Sequence, residues 1–419
     1  MNDHPDQLRV STPGASRFQR AKLSRWGTLL LIAAAASLHC SVAPRHVEEL
    51  RELPTVTRPA RTVAPLPAPV ALASPQELQP KTVVVIVIDG ARWQEVFGGT
   101  DRALAKIHAL PESALRSGPQ LVPALHGIIE NGGAALGAPD HGAPIAASGP
   151  AFVSVPGYIE IFSGRPAVNC LNNGCLWSGE RNLLDQIAED SGGRPGDVAV
   201  FASWPGMLRT VSRDSPGVLV TAGRNGQQNL GALLDDHEAA SVYARGARAD
   251  GYPGQGDYRP DRHTAEIALD HLRRHRPRFM LLSLGDADKY GHANMYRAYL
   301  DALHESDKVV AQVAHVLDEL GAQGWPSTLL ITADHGRDRR CREHGRKYPE
   351  SARAWLIARG TGIVNHGYVS APRPRQLADI APTLRRLMGL KADDGASAGT
   401  PLVELLSARV DRRSAGLGL

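Results

Sequence analysis

Runs of apolar residues recur along the chain at intervals that predict the strands of a sheet. Residues 82–88 form a continuous β-branched run, which is typical of a strand buried on both faces in a mostly parallel sheet. Similar runs predict further strands at 198–202, 218–221, 279–284, 328–332 and 354–357.

Segments with helical spacing of apolar residues separate these runs. They predict helices at 182–189, 263–275, 296–320 and 375–388. Strands that alternate with helices indicate an α/β fold, in which a large, mostly parallel sheet is sandwiched between helices. Two Gly- and Pro-rich stretches, 132–149 and 246–261, are predicted to be long loops near the functional site.

The first eighty residues differ in composition from the rest. Basic residues precede an apolar stretch at 27–38, which is shorter than the roughly 20 residues that span a bilayer and is typical of an export signal. We therefore predict a signal peptide or a lipoprotein leader over 1–40, with Cys40 as the candidate lipidation site. A Pro- and Ala-rich linker over 41–80 and a folded domain over 81–410 follow. This organisation predicts an exported protein, periplasmic or attached to a membrane through its N-terminus.

Composition narrows the class of partner. The chain has 419 residues, 42% of them hydrophobic, which is enough to bury a large core. Net charge is only +4, and no basic run with interleaved aromatics follows the first 30 residues, so a nucleic-acid partner is not expected.

Cys170 and Cys175 either form a local disulfide, which is favoured if the protein is exported, or are two buried thiols. Cys341 is assigned no role.

Carboxylate and imidazole side chains follow several predicted strands. Because the carboxyl ends of parallel strands meet at one edge of a sheet, we expect these side chains to converge there. This mixture of ligands is typical of zinc or manganese. Zinc is the expected ion and manganese the alternative. The candidates are Asp89 after 82–88, Asp288 and His292 after 279–284, Asp334 and His335 after 328–332, and His366 in a later loop.

Ser154 is the candidate nucleophile. It precedes Val155 and Pro156 and an apolar-periodic segment that ends at Gly164, which predicts a helix with Ser154 at its N-cap. The amino end of a helix attracts phosphate, and a hydroxyl placed between two metal ions can attack phosphorus. Several candidates also have a purely structural interpretation: Asp89 and Ser154 as helix caps, Asp334-His335 as a polar loop, and His366 as a lone loop histidine.

Five short motifs occur in an order that resembles the alkaline phosphatase superfamily of metalloenzymes. They are VVVIVIDG, SVPGYIEIFSG, DKYGH, ADHG and NHG, and the resemblance covers about 82–405. It is closest to the nucleotide pyrophosphatase/phosphodiesterase and phosphatase branches. The resemblance implies an alkaline-phosphatase-like fold and two divalent ions. One ion would be held by Asp89, Ser154, Asp334 and His335, and the other by Asp288, His292 and His366.

The same resemblance implies a hydrolase that cleaves phosphate mono- or diesters through a phosphoserine at Ser154. The sulfatase motif is absent because Tyr158 occupies the place of its arginine. Phosphodiesterase relatives hold a phosphate oxygen with an Asn about 20 residues after the nucleophile. Asn169, Asn172 and Asn173 are the candidates here. The alternatives are a phosphomutase- or phosphonate-hydrolase-like relative and a non-catalytic, ligand-binding member of the fold.

Overall fold

A nine-stranded sheet organises the domain, and a three-stranded sheet lies beside it. From one edge to the other, the strands of the large sheet are Gly367–Tyr368, Gly133–Leu136, Leu356–Gly360, Ser327–Thr332, Thr82–Ile88, Phe279–Leu284, Val198–Ala202, Val218–Ala222 and Gly226–Gln228. The computed structural model describes residues 79–410 except 177–180, 212–216, 394, 396–397 and 409, all within one compact unit, Pro69–Leu419. The predicted leader and almost all of the predicted linker lie outside the described residues.

The strands are β1 Thr82–Ile88, β2 Gly133–Leu136, β3 Ile145–Ala146, β4 Val198–Ala202, β5 Val218–Ala222, β6 Gly226–Gln228, β7 Phe279–Leu284, β8 Ser327–Thr332, β9 Arg353–Ala354, β10 Leu356–Gly360, β11 Gly367–Tyr368 and β12 Arg375–Gln376. The α-helices are α1 Trp93–Gly98, α2 Arg102–Ile107, α3 Gly118–Leu121, α4 Pro123–Glu130, α5 Ser154–Ser163, α6 Leu183–Asp190, α7 Gly231–Leu234, α8 His237–Ala247, α9 Asp261–His275, α10 Asp286–His292, α11 Tyr296–Ala322 and α12 Ile380–Met388. Short 3-10 helices lie at Glu112–Ala114, Pro205–Arg209, Pro349–Ala352, Leu377–Asp379 and Val403–Leu405.

The large sheet separates two hydrophobic cores. Alternate residues of β1 face opposite sides: Val84 packs into a core with helices α4, α9 and α11, and Val85 into one with α5, α6 and α12. Every residue of β1 is buried. The central strands β8, β1, β7, β4 and β5 run parallel. The predicted α/β sandwich with a large, mostly parallel sheet is therefore confirmed.

Three predicted elements need correction. The stretch 132–149 is not one loop, because Gly133–Leu136 forms buried β2 beside β10; small Gly and Ala residues hid this strand. Residues 354–357 are divided between β9 and β10, which belong to different sheets. The last predicted helix starts only at Ile380, after β12 and a 3-10 turn.

The parallel strands bring their carboxyl ends to one edge of the sheet, and the candidate site lies there. Asp89 directly follows β1, α10 begins two residues after β7, and Asp334 follows β8 after one residue. Within the described part of the chain, none of the helices combines the length and apolar character that crossing a bilayer requires.

Candidate metal centre

Four of the sequence candidates meet where β1, β8 and α5 come together. The Nε2 atom of His335 lies 3.4 Å from Oδ1 of Asp89, 3.5 Å from Oδ2 of Asp334 and 3.3 Å from the Ser154 hydroxyl. The Ser154 hydroxyl is also 3.4 Å from Asp89 Oδ1. All four side chains are buried. The structure thus assembles the first predicted ligand group.

A second group lies beside the first and contains a histidine that the sequence analysis missed. Asp288 Oδ1 is 3.5 Å from Nε2 of both His292 and His344. Asp288 also groups with Asp89 and His335, with ligand atoms within 4.8 Å of one another, so the two groups adjoin.

His366 does not join either group, and its assignment is corrected. Its side chain is exposed, and its backbone N–H donates to the carbonyl oxygen of Gly133, at the start of β2. Strand β10 pairs with both β2 and β8, and through it Gly133 lies level with the first half of β8. The candidate site lies beyond the carboxyl end of β8, so His366 is at the opposite edge of the sheet. Both His366 and His344 precede a glycine, and the prediction of His366 as a ligand was wrong because the His-Gly pair at the site is the one at His344.

A compact loop after β8 brings His344 to the site. The Asp338 carboxylate accepts hydrogen bonds from the backbone N–H groups of Arg342 and Glu343, at 2.7 and 3.0 Å. The backbone N–H of Asp338 donates in return to the Glu343 carbonyl oxygen. The ring of His344 then stacks on His335, with centroids 4.0 Å apart. This return of the chain depends on tertiary contacts, which explains why spacing alone did not reveal His344.

Backbone carbonyls orient two of the imidazoles. Nδ1 of His335 lies 2.8 Å from the Gly336 oxygen, and Nδ1 of His344 lies 3.1 Å from the Phe152 oxygen. A carbonyl accepts only a proton donor, so each Nδ1 carries hydrogen and each Nε2 of the neutral ring presents a lone pair. Metal-binding histidines are commonly fixed in this way.

Three buried carboxylates crowd the site. Burial and the nearby Asp334 and Asp288 raise the pKa of Asp89, and burial raises the pKa of Asp334. Burial opposes ionisation of Asp288 too, but Lys289 and Arg337 hold its pKa well below its usual range.

The Arg337 guanidinium contacts Asp288 Oδ1 and is itself held by the carbonyl oxygens of Cys341 and Arg342. A Cβ atom at Gly90 would lie 2.7 Å from its Nη1, and one at Gly291 would lie 2.5 Å from its Nε. Two ligand segments therefore need glycine to make room for this arginine. Arg337 was not a sequence candidate.

The donor set fits divalent metal ions. Oδ2 of Asp334 is buried with no hydrogen-bond partner among the described residues. Nε2 of His292 lies 2.8 Å from Nε2 of His344. Because Nε2 of His344 presents a lone pair, either a proton on His292 Nε2 or a cation bound by both rings accounts for this short distance. Mixed imidazole and carboxylate ligands suit zinc and manganese.

Helix α5 presents the candidate nucleophile. Ser154 is its first residue, and Val153, not Ser154, is the N-cap. The backbone N–H of Val155 donates to Asn173 Oδ1 at 2.9 Å, and that of Gly157 donates to Val153. The expected free N–H groups are thus partly engaged. Because Asn173 accepts through Oδ1 at the first turn of α5, its amide nitrogen remains available as a donor.

A disulfide closes the loop that carries Asn173. Cys170 and Cys175 are joined, with Cα atoms 5.7 Å apart, whereas Cys341 is a buried free thiol. Tyr158, four residues after Ser154, is buried and shares a 2.7 Å hydrogen bond with Ser283. Tyr158 packs in the core on the side of the sheet that carries α5, α6 and α12.

The buried carboxylate of Asp261, outside the ligand groups, fixes the start of α10. The Asp261 carboxylate accepts hydrogen bonds from the backbone N–H groups of Gly285 and Asp286, at 2.7 and 2.9 Å. Asp286 accepts from the Tyr258 hydroxyl at 2.8 Å. Asp286 therefore supports this network and has no direct contact with Asp288 among the described hydrogen bonds. The network sets the direction in which α10 presents Asp288 and His292.

The fold is that of the alkaline-phosphatase-like class of proteins, and its paired ligand groups could each hold a metal ion. The model of a family described as the metalloenzyme superfamily matches residues 256–392. This segment contains Asp288, His292, Asp334, His335 and His344.

Individual relatives agree with this class. A 2,3-bisphosphoglycerate-independent phosphoglycerate mutase of Methanosarcina acetivorans is 30% identical over 111 residues, which cover 26% of this chain and 20% of the mutase. The fold is similar to wild-type alkaline phosphatase PafA, at a TM-score of 0.50 and 12% identity, over 80% of this chain and 100% of that one. It is equally similar, at a TM-score of 0.50 and 12% identity, to an inactive variant of murine ectonucleotide pyrophosphatase/phosphodiesterase 5 in complex with AMP, over 78% of this chain and 100% of that one.

The predicted resemblance to the alkaline phosphatase superfamily is therefore confirmed. The structural likenesses show the fold. The matches to curated phosphoglycerate mutases span only between 19% and 38% of those proteins' length.

Proposed function

We propose that this chain is an exported two-metal phosphohydrolase that cleaves phosphate mono- or diesters with Ser154 as nucleophile. The observation that carries the proposal is the placement of the Ser154 hydroxyl within 3.4 Å of both Asp89 and His335, beside a second ligand group. A non-catalytic binding protein would not need a hydroxyl at that position.

The distances within the two groups support an assignment of the metal ligands. Asp89, Ser154, Asp334 and His335 would hold one ion, and Asp288, His292 and His344 would hold the other. When bound, the ions would neutralise charge on the phosphate and lower the pKa of the serine hydroxyl. We expect zinc, with manganese as the alternative.

The chain's own residues account for the remaining steps. Ser154 Oγ attacks phosphorus while the bond to the leaving oxygen breaks, which leaves a phosphoserine. Water then cleaves the phosphorus–oxygen bond to Ser154 and releases phosphate or a phosphomonoester. The Asn173 amide nitrogen donates to a non-bridging oxygen, because its Oδ1 is held by the Val155 N–H.

The proposal includes a cellular location outside the cytoplasm. A leader over 1–40 would export the domain, and the linker would leave it in the periplasm or tethered to a membrane. A small phosphate ester is the expected substrate, and no nucleic-acid partner is expected.

A substrate panel with added zinc or manganese tests the proposal. Purified protein should hydrolyse p-nitrophenyl phosphate or its bis ester in preference to the sulfate ester. Ser154→Ala should abolish turnover, whereas Ser163→Ala at the other end of α5 should retain it. Robust turnover by Ser154→Ala with both ions bound would exclude the serine mechanism.

A phosphomutase is the second candidate, because several curated relatives are phosphoglycerate mutases. Incubation with 3-phosphoglycerate separates the two. A mutase converts it to 2-phosphoglycerate without release of inorganic phosphate, whereas a hydrolase releases phosphate.

A further inference from the structure

A cationic cavity lies at the sheet edge opposite the metal centre. Its volume is about 310 Å³. Lys81 immediately precedes β1, Arg278 immediately precedes β7, and Trp325 lies two residues before β8. The cavity is thus separated from the metal centre by the length of β1, which is roughly 23 Å for seven residues.

Two cationic side chains flank one tryptophan in this cavity. The Lys81 ammonium is 4.9 Å from the centre of the Trp325 ring, and the Arg276 guanidinium is 5.7 Å from it. The Trp325 Nε1–H donates to the Thr82 hydroxyl at 2.8 Å, which fixes the ring. We call Lys81, Arg276 and Trp325, with the cavity between them, the Trp325 surface.

The charges of this surface are only partly compensated. Arg194 is paired with Asp197 at 2.6 Å, and Asp197 and Asp190 also act on Arg278. Lys81 donates to the Gly324 carbonyl oxygen and Arg276 to Gln323, both uncharged groups. Among the described residues, no carboxylate forms an ion pair with Lys81 or Arg276. Anionic groups in solution are therefore free to approach both.

We propose that the Trp325 surface docks the domain onto the headgroups of an anionic phospholipid membrane. Tryptophan is enriched at membrane–water interfaces, and each basic side chain near an anionic surface strengthens binding about fivefold. An indole with two cations beside it matches a headgroup layer, in which phosphates lie above apolar carbon.

The path of the chain favours a membrane as the partner. Gln79, Pro80 and Lys81 line the cavity, so the linker joins the domain at this surface. With the leader held in a membrane, the local concentration of headgroups near the domain is high, so weak contacts are enough to fix the orientation of the domain. The metal centre, at the opposite edge, would then face away from the bilayer.

Vesicle binding by the full chain tests the proposal. Lys81→Gln combined with Arg276→Gln should weaken binding to phosphatidylglycerol-containing vesicles roughly 25-fold, since two basic residues are lost. Binding to pure phosphatidylcholine vesicles should not change, because any insertion of the N-terminal apolar stretch is common to both proteins. Lys106→Gln with Lys308→Gln removes the same charge from exposed sites elsewhere and should have little effect.

Hydrogen–deuterium exchange locates the contact independently of the N-terminus. Phosphatidylglycerol vesicles should slow exchange in the peptide that covers residues 321–327, and phosphatidylcholine vesicles should not. The proposal is overturned if both double variants lose binding equally, if exchange in 321–327 does not respond to the anionic lipid, or if millimolar inorganic phosphate displaces the protein fully.

Discussion

Replacement of His344 by alanine gives the sharpest distinction between the ligand set of the structure and the one predicted from sequence. Structural zinc sites bind with about 10–16 kcal/mol over four ligands, so one ligand contributes roughly 3 kcal/mol. This loss corresponds to a rise of at least 100-fold in the zinc dissociation constant of the site that contains His344. His366→Ala is the matched control, because His366 lies at the opposite edge of the sheet.

Thermal unfolding with zinc and with chelator measures this loss. At a free zinc concentration 100 times the dissociation constant, one site stabilises the protein by about 2.7 kcal/mol. After a 100-fold loss of affinity, the same zinc concentration stabilises it by only about 0.4 kcal/mol. For a domain of this size the zinc-dependent rise in melting temperature should therefore be roughly 3 °C smaller in His344→Ala.

The difference between the zinc and chelator values cancels effects on the metal-free protein, such as the lost ring stacking on His335 and the lost contact with Phe152. His366→Ala should keep the full zinc-dependent rise. The assignment of His344 would be refuted if His366→Ala lost the zinc response and His344→Ala kept it.

Three further predictions concern residues around the ligands. Asn173→Asp keeps an acceptor for the α5 backbone but loses the amide donor. The value of kcat/KM for phosphate esters should therefore fall roughly 100-fold while zinc content stays unchanged. An unaltered kcat/KM would show that Asn173 does not bind substrate. Arg337→Met leaves Asp288 buried without its closest cation. The free energy of unfolding of the metal-free protein, measured in urea, should therefore fall by roughly 3 kcal/mol, and zinc should restore part of this loss. An equal loss with and without zinc would argue against this electrostatic role. Burial raises the pKa of Glu160 to about 7, above its unfolded value, so the contribution of Glu160 to the free energy of unfolding should fall by roughly 2–3 kcal/mol as pH rises from 4.5 to 7. Glu160→Gln should reduce the pH dependence of unfolding by this amount, and an unchanged pH dependence would contradict the raised pKa.

The sequence was sufficient to predict the central strands, because strands covered on both faces require unbroken apolar runs. Residues 82–88, 198–202 and 279–284 are strands with the predicted bounds. Strand β2 was missed, since its sequence Gly-Ala-Ala-Leu carries no β-branched residue and its burial comes from neighbours.

The site was predictable where a ligand directly follows a strand or lies in the adjoining turn. Asp89 and Asp334 have fixed positions once their strands are known. His344 depends on a loop that folds back through Asp338, and Arg337 depends on space left by two glycines from other segments. Such contacts between distant segments have no signature in the spacing of a single sequence.

Anomalous diffraction at the zinc absorption edge, from crystals grown with zinc, tests the central claim most directly. The account predicts two ions: one about 2.0–2.2 Å from His335 Nε2 and the carboxylates of Asp89 and Asp334, and the other at similar distances from Asp288, His292 and His344. A single ion, or an ion bound by His366 with His344 unliganded, would contradict it.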